Sequence, residues 1–269
     1  MELFYRHYGS GQPLIILHGL LGISDNWVTI GKRLAEKYSV YIPDQRNHGQ
    51  SPHSATFDYP SLVLDLAGFV DSHDLRKPIL IGHSMGGKVA MQFVQDHPDV
   101  VDRLIVVDIS PRRYPPRAIH QMMLSAMLSI DFSIVKGRQD VAELLGRYVP
   151  DKRIQLFILK NLYRPLPDVL AWRPNVHTIS EQLDLVFDDV PCMKTFVGEA
   201  LFVRGGKSDY IIDTDIPLIR SCFPQAQIAT IVGATHWVHA DKPRELCAVF
   251  SKFLGRHCEF MPDATGEGD

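Results

Sequence analysis

The chain has 269 residues, of which 45% are hydrophobic and 22% charged, and its mean hydropathy is −0.04. This balance is typical of a globular protein with a full core, and the length favours one or two domains. Lys and Arg number 28 against 31 Asp and Glu, a formal net charge of −3. Without a basic cluster, neither nucleic acid nor an anionic membrane is an expected partner. The apolar runs are far shorter than the roughly 20 residues that cross a bilayer, so membrane insertion is not expected.

The amino-terminal residues lack the charged region, apolar region and cleavage site of a signal peptide, which indicates a cytoplasmic protein. The cysteines form no Cys-x-x-Cys pair, so reduced thiols are expected at Cys192, Cys222, Cys247 and Cys258. The tail from Gly255 to Asp269 ends in Gly, Glu and Asp and is expected to fray.

Short apolar runs alternate with segments of helical period, which predicts a mostly parallel sheet flanked by helices. An antiparallel edge strand is expected at Leu3–Tyr8. The strands predicted to be buried on both faces are Leu14–Leu17, Val40–Ile42, Ile79–Ile81, Leu104–Val107, Leu201–Val203 and Gln227–Val232. The helices predicted to lie around them are Trp27–Tyr38, Ser61–Asp74, Met85–Asp96, Ile216–Cys222 and Pro243–Leu254.

The alternation stops between Pro111 and about Phe196, where helical patterns follow one another without a strand. They cover Met122–Leu128, Val141–Leu145, Ile154–Leu162 and Ile179–Phe187. We therefore predict an all-helical insert, residues 111–195, that forms a lid over the sheet's carboxyl edge. The core then comprises residues 1–110 and 196–269. Three methionines of the insert, Met122, Met123 and Met127, are candidates for pocket walls or for packing of the lid on the core.

The segment Gly82–Gly87 follows a predicted strand and opens a predicted helix. This is the required context of the Gly-x-Ser-x-Gly nucleophile elbow, in which a sharp turn lifts the Ser84 hydroxyl clear of the sheet. The Met85 amide, at the helix start, would point toward an oxyanion. A glycine-rich turn that merely joins a strand to a helix is the alternative.

Two further loops follow predicted strands. The loop His18–Gly22 can place the Leu20 amide opposite the Met85 amide as a second oxyanion donor, although it could also simply end a strand. The loop Asp44–Ser51 has the composition of a hydrogen-bonded support, with a structural role for His48. No His-Glu-x-x-His motif occurs, and no metal site is expected.

A serine nucleophile needs a base, and His236 directly follows the last predicted strand. His239 competes for this role but lies beside the start of the final helix. The acid that orients the histidine is ambiguous, because Asp108 and Asp209 both follow strands and both keep the chain order Ser, Asp, His. Spacing alone leaves both open.

These residues together resemble the alpha/beta-hydrolase superfamily over nearly the whole chain outside the insert. Within it the sequence is similar to the small bacterial esterases of the YbfF type and their eukaryotic relatives. The segments that carry this narrower similarity are His18–Gly22 with Asp25 and Asn26, Arg46–Gly49, Val107–Pro111, Trp172–Asn175 and Gly205–Ser208. In that branch the acid occupies the position after the earlier strand, so the resemblance implies Asp108. The chain departs from the branch by also carrying Asp209.

The resemblance implies hydrolysis of short to medium acyl esters or thioesters without a cofactor. Ser84 in place of an aspartate argues against the dehalogenase and epoxide hydrolase relatives. The same triad could serve a carbon–carbon bond hydrolase or a perhydrolase. A ligand-binding protein on a hydrolase scaffold and a partner protein that stabilises a complex are the alternatives from other classes. A complete set of nucleophile, base, acid and oxyanion loop favours the enzyme, because a binding protein has no chemical need for it.

Overall fold

The computed structural model describes residues 1–255. Its main sheet has seven strands, of which the first pairs antiparallel with its neighbour and the others are parallel. In chain order the strands of this sheet and of one hairpin are β1 (Tyr5–Tyr8), β2 (Gln12–Leu17), β3 (Tyr38–Pro43), β4 (Ile79–His83), β5 (Arg103–Val107), β6 (Leu162–Leu166), β7 (Val169–Trp172), β8 (Glu199–Gly205) and β9 (Ala226–Ile231). The sheet order is β1-β3-β2-β4-β5-β8-β9. The predicted parallel sheet with an antiparallel edge strand is confirmed.

The helices lie on both faces of the sheet and in the insert. They are α1 (Val28–Leu34), α2 (Tyr59–Ser72), α3 (Met85–Asp96), α4 (Ala118–Leu128), α5 (Arg138–Tyr148), α6 (Lys152–Leu159), α7 (Val176–Glu181), α8 (Leu183–Val186), α9 (Ile216–Cys222), α10 (Val238–Asp241) and α11 (Pro243–Phe253). The first helix is shorter than predicted, because Tyr38 already pairs with Gln12 as the first residue of β3. The other predicted core helices lie within two residues of their expected bounds.

Alternation along β2 shows how the sheet separates two hydrophobic layers. Leu14 and Ile16 belong to the layer that contains Phe250 of α11, whereas Ile15 and Leu17 belong to the layer that contains Phe93 of α3. Successive strand side chains point to opposite faces, so a continuous apolar run serves both layers. Because β2, β3, β4, β5, β8 and β9 run parallel, their carboxyl ends lie at one edge of the sheet, where the following loops converge.

The segment between β5 and β8, which contains the predicted insert, is not all helical. It contains α4 to α8 and an antiparallel hairpin formed by β6 and β7. The prediction of an all-helical insert is wrong here because Pro167 and Asp168 supply a turn between Tyr163 and Trp172, residues of types that favour strands. The predicted helix Ile154–Leu162 accordingly ends at Leu159.

A buried lysine of α3 joins the two points where the chain enters and leaves the insert. The Lys88 ammonium donates to the backbone oxygens of Arg112, at 3.0 Å, and of Asp188. Burial lowers the pKa of Lys88 to about 7. Two backbone bonds join the same segments, from Tyr114 N to Phe187 O at 2.8 Å and from Val190 N to Pro111 O at 2.7 Å. The base of the insert is therefore fixed to the sheet domain.

The expectation of reduced thiols is wrong for two of the cysteines. Cys192 and Cys222 form a disulfide, with their Cα atoms 5.2 Å apart. A hydrogen bond from Phe196 N to Cys222 O, at 3.0 Å, holds the two segments side by side. Their separation of 30 residues follows no motif, so only the fold brings them together. Cys258 and the tail after Gly255, for which fraying is expected, lie outside the described residues.

Within residues 1–255, the helices are all too short or too polar to cross a membrane.

Candidate active site

Ser84 stands on a sharp turn between β4 and α3. Its backbone has φ +53° and ψ −121°, a strained conformation for a residue other than glycine. The turn packs closely on the neighbouring strand: a Cβ atom on Gly86 would lie 2.6 Å from the carbonyl oxygens of Leu17 and His18. A Cβ on Gly82 would lie 2.3 Å from the Gly86 carbonyl oxygen. The glycines around the serine therefore allow a close approach of backbones that a side chain would prevent.

His236, in the loop after β9, connects the serine to a carboxylate. Its Nε2 lies 2.9 Å from Ser84 Oγ, and its Nδ1 lies 2.8 Å from Asp108 Oδ2. The neighbouring His83 donates from Nε2 to the backbone oxygen of His236 at 2.9 Å, which fixes the loop to the serine strand. The three side chains thus form a continuous hydrogen-bonded chain of acid, imidazole and hydroxyl.

Asp108 is fully buried at the end of β5, also with a positive φ of +54°. Its Oδ1 accepts a hydrogen bond from Gly205 N at 2.8 Å, and its Oδ2 accepts from the Ser208 hydroxyl as well as from His236. Three donors, from the last residue of β8 and from the loops after β8 and β9, hold the carboxylate and fix its orientation toward the imidazole.

The other candidate acid points elsewhere. The Asp209 side chain is 73% exposed and forms an ion pair with Arg117, whose guanidinium lies 2.8 Å from Asp209 Oδ1. The hydrogen bond from Arg117 lowers the pKa of the Asp209 carboxyl. The two acids that spacing could not separate therefore occupy different environments, and Asp108 is the one in contact with His236.

Leu20, Met85 and Ser84 all line one small cavity. In the described part of the chain, neither the Leu20 nor the Met85 backbone amide donates a hydrogen bond to a protein acceptor. Both groups are therefore available to an oxygen atom that enters beside the serine. Such a pair of amide donors can stabilise the oxyanion of an acyl-transfer intermediate.

Buried histidines hold the loop that carries Leu20. His48 accepts from Leu21 N at Nε2, and His18 accepts from Gln45 N at Nε2, both at 3.0 Å. Burial lowers the pKa of His18 to about 4 and that of His48 to about 3, so both rings are neutral at pH 7. Asn161 of the insert donates to Leu21 O at 2.9 Å. The structural role that the sequence predicts for His48 is confirmed.

The competing histidine, His239, stacks on Trp27 with ring centroids 4.7 Å apart. Burial lowers its pKa to about 3. The hydrogen bond to Ser84 comes from His236, as described above, so His239 serves as part of the wall.

A cavity of about 310 Å³ opens above Ser84, with walls from both the core and the insert. The insert contributes His120, Met123, Ile154 and Phe157. Of the three predicted methionines, Met123 lines the cavity, whereas Met127 is buried in the core and Met122 packs against it. The small cavity lined by Leu20 and Met85 has a volume of about 20 Å³.

Sequence reasoning missed three residues that surround the imidazole. Ser208 was noted only as part of a motif, yet its hydroxyl supports Asp108. The Tyr210 ring stacks on the His236 imidazole at a centroid distance of 3.7 Å. The Arg117 guanidinium carbon lies over the Tyr210 ring, 3.9 Å from its centroid. The position of Ser208 and Tyr210 just after β8 was a usable signal, because strand ends converge at this edge. No such signal exists for Arg117, because it lies in the insert and does not follow a strand of the sheet.

In residues 1–255, no three His, Cys, Asp or Glu side chains are grouped so as to hold a metal ion.

Comparison with known proteins agrees with this geometry. A family model described as alpha/beta hydrolase fold matches residues 12–243. The sn-1-specific diacylglycerol lipase ABHD11 of Danio rerio is 36% identical over an alignment of 252 positions, which covers 91% of this chain and 79% of that protein. Esterase YbfF of Escherichia coli is 30% identical over 247 residues, 91% of this chain and 94% of its own. A solved structure, titled Marine microorganism esterase, superposes with a TM-score of 0.91 at 41% identity and covers 94% of this chain and 99% of that one.

The chain belongs to the alpha/beta hydrolase fold family, and its resemblance to YbfF-type esterases is confirmed. It is a hydrolase of the esterase and lipase type, which acts on ester bonds.

Proposed function

We propose that the protein is a serine carboxylesterase that hydrolyses short to medium acyl esters, or thioesters, through an acyl-enzyme intermediate. Ser84 is the nucleophile, His236 the general base, and Asp108 the acid that orients it. The amides of Leu20 and Met85 form the oxyanion hole. The observation that carries this proposal is the chain of hydrogen bonds from Asp108 through His236 to Ser84, at 2.8 and 2.9 Å.

The first half-reaction transfers the acyl group to the enzyme. His236 Nε2 accepts the proton of Ser84 Oγ as that oxygen attacks the ester carbonyl carbon. The negative charge that develops on the carbonyl oxygen is stabilised by the two amides, which need no reorganisation. The carbon–oxygen bond to the alcohol then breaks, and the alcohol leaves with the proton held by His236.

The second half-reaction returns the serine. Water gives a proton to His236 as its oxygen attacks the acyl carbon, and the acid leaves as Ser84 Oγ takes that proton back. Asp108 keeps the imidazole in the tautomer that has its free electron pair at Nε2. An ionised carboxylate can only accept a hydrogen bond, so the proton of the neutral ring stays on Nδ1. Tyr210, stacked on the ring, restricts its tilt.

The insert, residues 111–195, is proposed to act as a lid that shapes the substrate pocket. Support comes from the cavity above Ser84, to which the insert contributes both polar and apolar walls. The insert is anchored to the core at its base by Lys88 and, between α6 and the hairpin, by the hydrogen bond from Asn161 to Leu21 O.

The test is hydrolysis of p-nitrophenyl esters from acetate to decanoate by the protein and by its Ser84→Ala variant. We expect hydrolysis that falls to the uncatalysed rate in Ser84→Ala, with a chain-length optimum that measures the pocket. Ser221→Ala, which changes an exposed serine on α9, is the matched control and keeps full activity. Mass spectrometry of a rapidly quenched reaction detects the acyl group on the peptide that contains Ser84.

Equal ester hydrolysis by the protein and Ser84→Ala would refute the serine mechanism. In that case a carbon–carbon bond hydrolase or a binding role would have to be examined with their own ligands.

A further inference from the structure

The insert places one polar side chain, that of His120, between the two cavities at Ser84. His120 lies on α4 and lines both the open cavity and the small one. The residue is 9% exposed, and its Nδ1 is buried without a hydrogen-bond partner in the described structure. A buried imidazole nitrogen without a partner has a substantial cost, and a cavity beside it suggests that a ligand supplies that partner.

The remaining surroundings of this imidazole do not meet that need. Phe187 contacts the ring in an edge-to-face arrangement, at a centroid distance of 5.4 Å. Three tyrosines also line the small cavity. The Tyr59 hydroxyl donates to Val186 O at 2.7 Å, the Tyr114 hydroxyl donates to Tyr210 O, and the ring of the third, Tyr210, stacks on His236. The free hydrogen-bonding capacity of His120 is thus directed to whatever occupies the cavity.

The small cavity borders the groups that would hold the acyl end of an ester. Leu20 and Met85, the two proposed oxyanion donors, both border this cavity, as does Ser84. Eight of its ten lining residues are buried, which leaves the large cavity, rimmed by the exposed Lys207 and Asp209, as the exit for the alcohol. The small cavity has about 20 Å³ against about 310 Å³ for the open one, which favours a short acyl chain.

We propose that His120 is a specificity-determining residue that hydrogen-bonds a hydroxyl group on a short acyl chain, so that the enzyme prefers esters of small hydroxy acids. This proposal rests on the serine esterase function and names its substrate class. A hydroxyl both donates and accepts, which matches a neutral imidazole. Burial, reinforced by the nearby His236 and Arg117, lowers the pKa of His120 to about 4, so the ring does not offer the positive charge that a carboxylate would require.

The test compares 4-methylumbelliferyl glycolate with the propanoate, two esters whose acyl groups differ only by a hydroxyl in place of a methyl group. The variant His120→Phe removes the hydrogen bond and keeps an aromatic ring against Phe187. His120→Leu is the second variant, and His177→Leu, which changes an exposed histidine of the insert, is the control. Dividing kcat/KM for glycolate by that for propanoate, and comparing variants, cancels the intrinsic difference between the esters.

We expect this ratio to fall about tenfold or more in His120→Phe and His120→Leu, because the substrate hydroxyl then enters the cavity without a partner. Propanoate hydrolysis should stay within about threefold of the parent value, since its methyl group makes no such bond. The thermal midpoint of unfolding should not fall in His120→Phe, because the change removes an unpaired polar atom. If the histidine had a purely structural role, its replacement would lower the midpoint. His177→Leu should leave the ratio unchanged.

An unchanged ratio in a folded His120 variant overturns the proposal while the esterase function stands. Hydrolysis of neither ester by a protein that does hydrolyse p-nitrophenyl esters also overturns only the proposal. Failure to hydrolyse any ester of either series above the Ser84→Ala background overturns both.

Discussion

Replacement of Asp108 by asparagine is the most direct test of the acid. The substitution keeps the size of the side chain, and asparagine tolerates the positive φ of +54° at this position, so the backbone is not a reason for failure. What changes is the pattern of hydrogen bonds, because the carboxylate accepts from Gly205 N, the Ser208 hydroxyl and His236 Nδ1. An amide can present an acceptor to only one side.

The geometry gives the asparagine two orientations, and both fail. If its oxygen accepts from Gly205 N, its NH2 group faces His236 Nδ1 and selects the tautomer that carries the proton on Nε2. That nitrogen then cannot accept the proton of Ser84. If the amide is reversed, its NH2 group meets the Gly205 N–H. The first orientation avoids this buried conflict between two donors, so we expect kcat to fall about 10⁴-fold, or about 5 kcal/mol of barrier.

The assay is steady-state hydrolysis of a p-nitrophenyl ester, with circular dichroism to show that Asp108→Asn is folded. Asp209→Asn is the matched control, because it changes a 73% exposed carboxylate whose ion pair with Arg117 contributes less than about 1 kcal/mol. We expect this control to keep kcat within about fivefold. A kcat for Asp108→Asn above a tenth of the parent value, or a larger loss in Asp209→Asn, would refute the reasoning.

Further predictions concern stability. His18 and His48, with pKa values of about 4 and about 3 against 6.5 when exposed, take up protons more readily in the unfolded chain. Above pH 7, these groups should not affect the free energy of unfolding. As the pH drops from 6.5 toward 4, that free energy should fall by about 3 kcal/mol for His18 alone. Urea unfolding at pH 7.5 and 4.5 measures the fall, and equal free energies at the two pH values would contradict the prediction. Lys88→Met leaves the half-buried carbonyl oxygens of Arg112 and Asp188 without this donor and should cost about 1–3 kcal/mol, seen as a lower thermal midpoint; an unchanged midpoint would exclude the lysine as a stabilising link. Gly86→Ala should cost about 2 kcal/mol or more because its Cβ meets backbone atoms at 2.6 Å, whereas Gly68→Ala, with nothing within 4 Å, should stabilise α2 by about 0.5–1 kcal/mol; denaturant unfolding of the pair tests the difference.

The sequence predicted the sheet and the proposed nucleophile and base because their signals are local. A buried parallel strand is a short apolar run, and the turn around Ser84 needs glycines within two residues of the serine. The position of His236 can be predicted from the sequence for the same reason, because it follows a strand whose end must lie at the common carboxyl edge. The two acids could not be separated in this way, because β5 and β8 are neighbours in the sheet and both aspartates follow them.

The features that escaped the sequence depend on contacts between distant segments. The disulfide joins residues 30 apart, and His120 acquires its position only when α4 packs above Ser84. The hairpin of the insert was missed for a different reason. Its strands are short, and an apolar pattern of this length does not distinguish a strand from one turn of helix.

Three of the histidines near Ser84 act on the backbone rather than on a substrate. His18 and His48 accept from the amides of Gln45 and Leu21, and His83 donates to a carbonyl oxygen of the loop that carries the imidazole next to Ser84. Burial keeps the charge off His18 and His48, and a neutral ring can offer one acceptor and one donor at once. Each therefore joins two backbone segments where a lysine or a carboxylate would bring a buried charge. A cluster of histidines in a hydrolase can thus be evidence for rigid loops around the nucleophile, with the proton transfer left to the imidazole that shares a hydrogen bond with the serine.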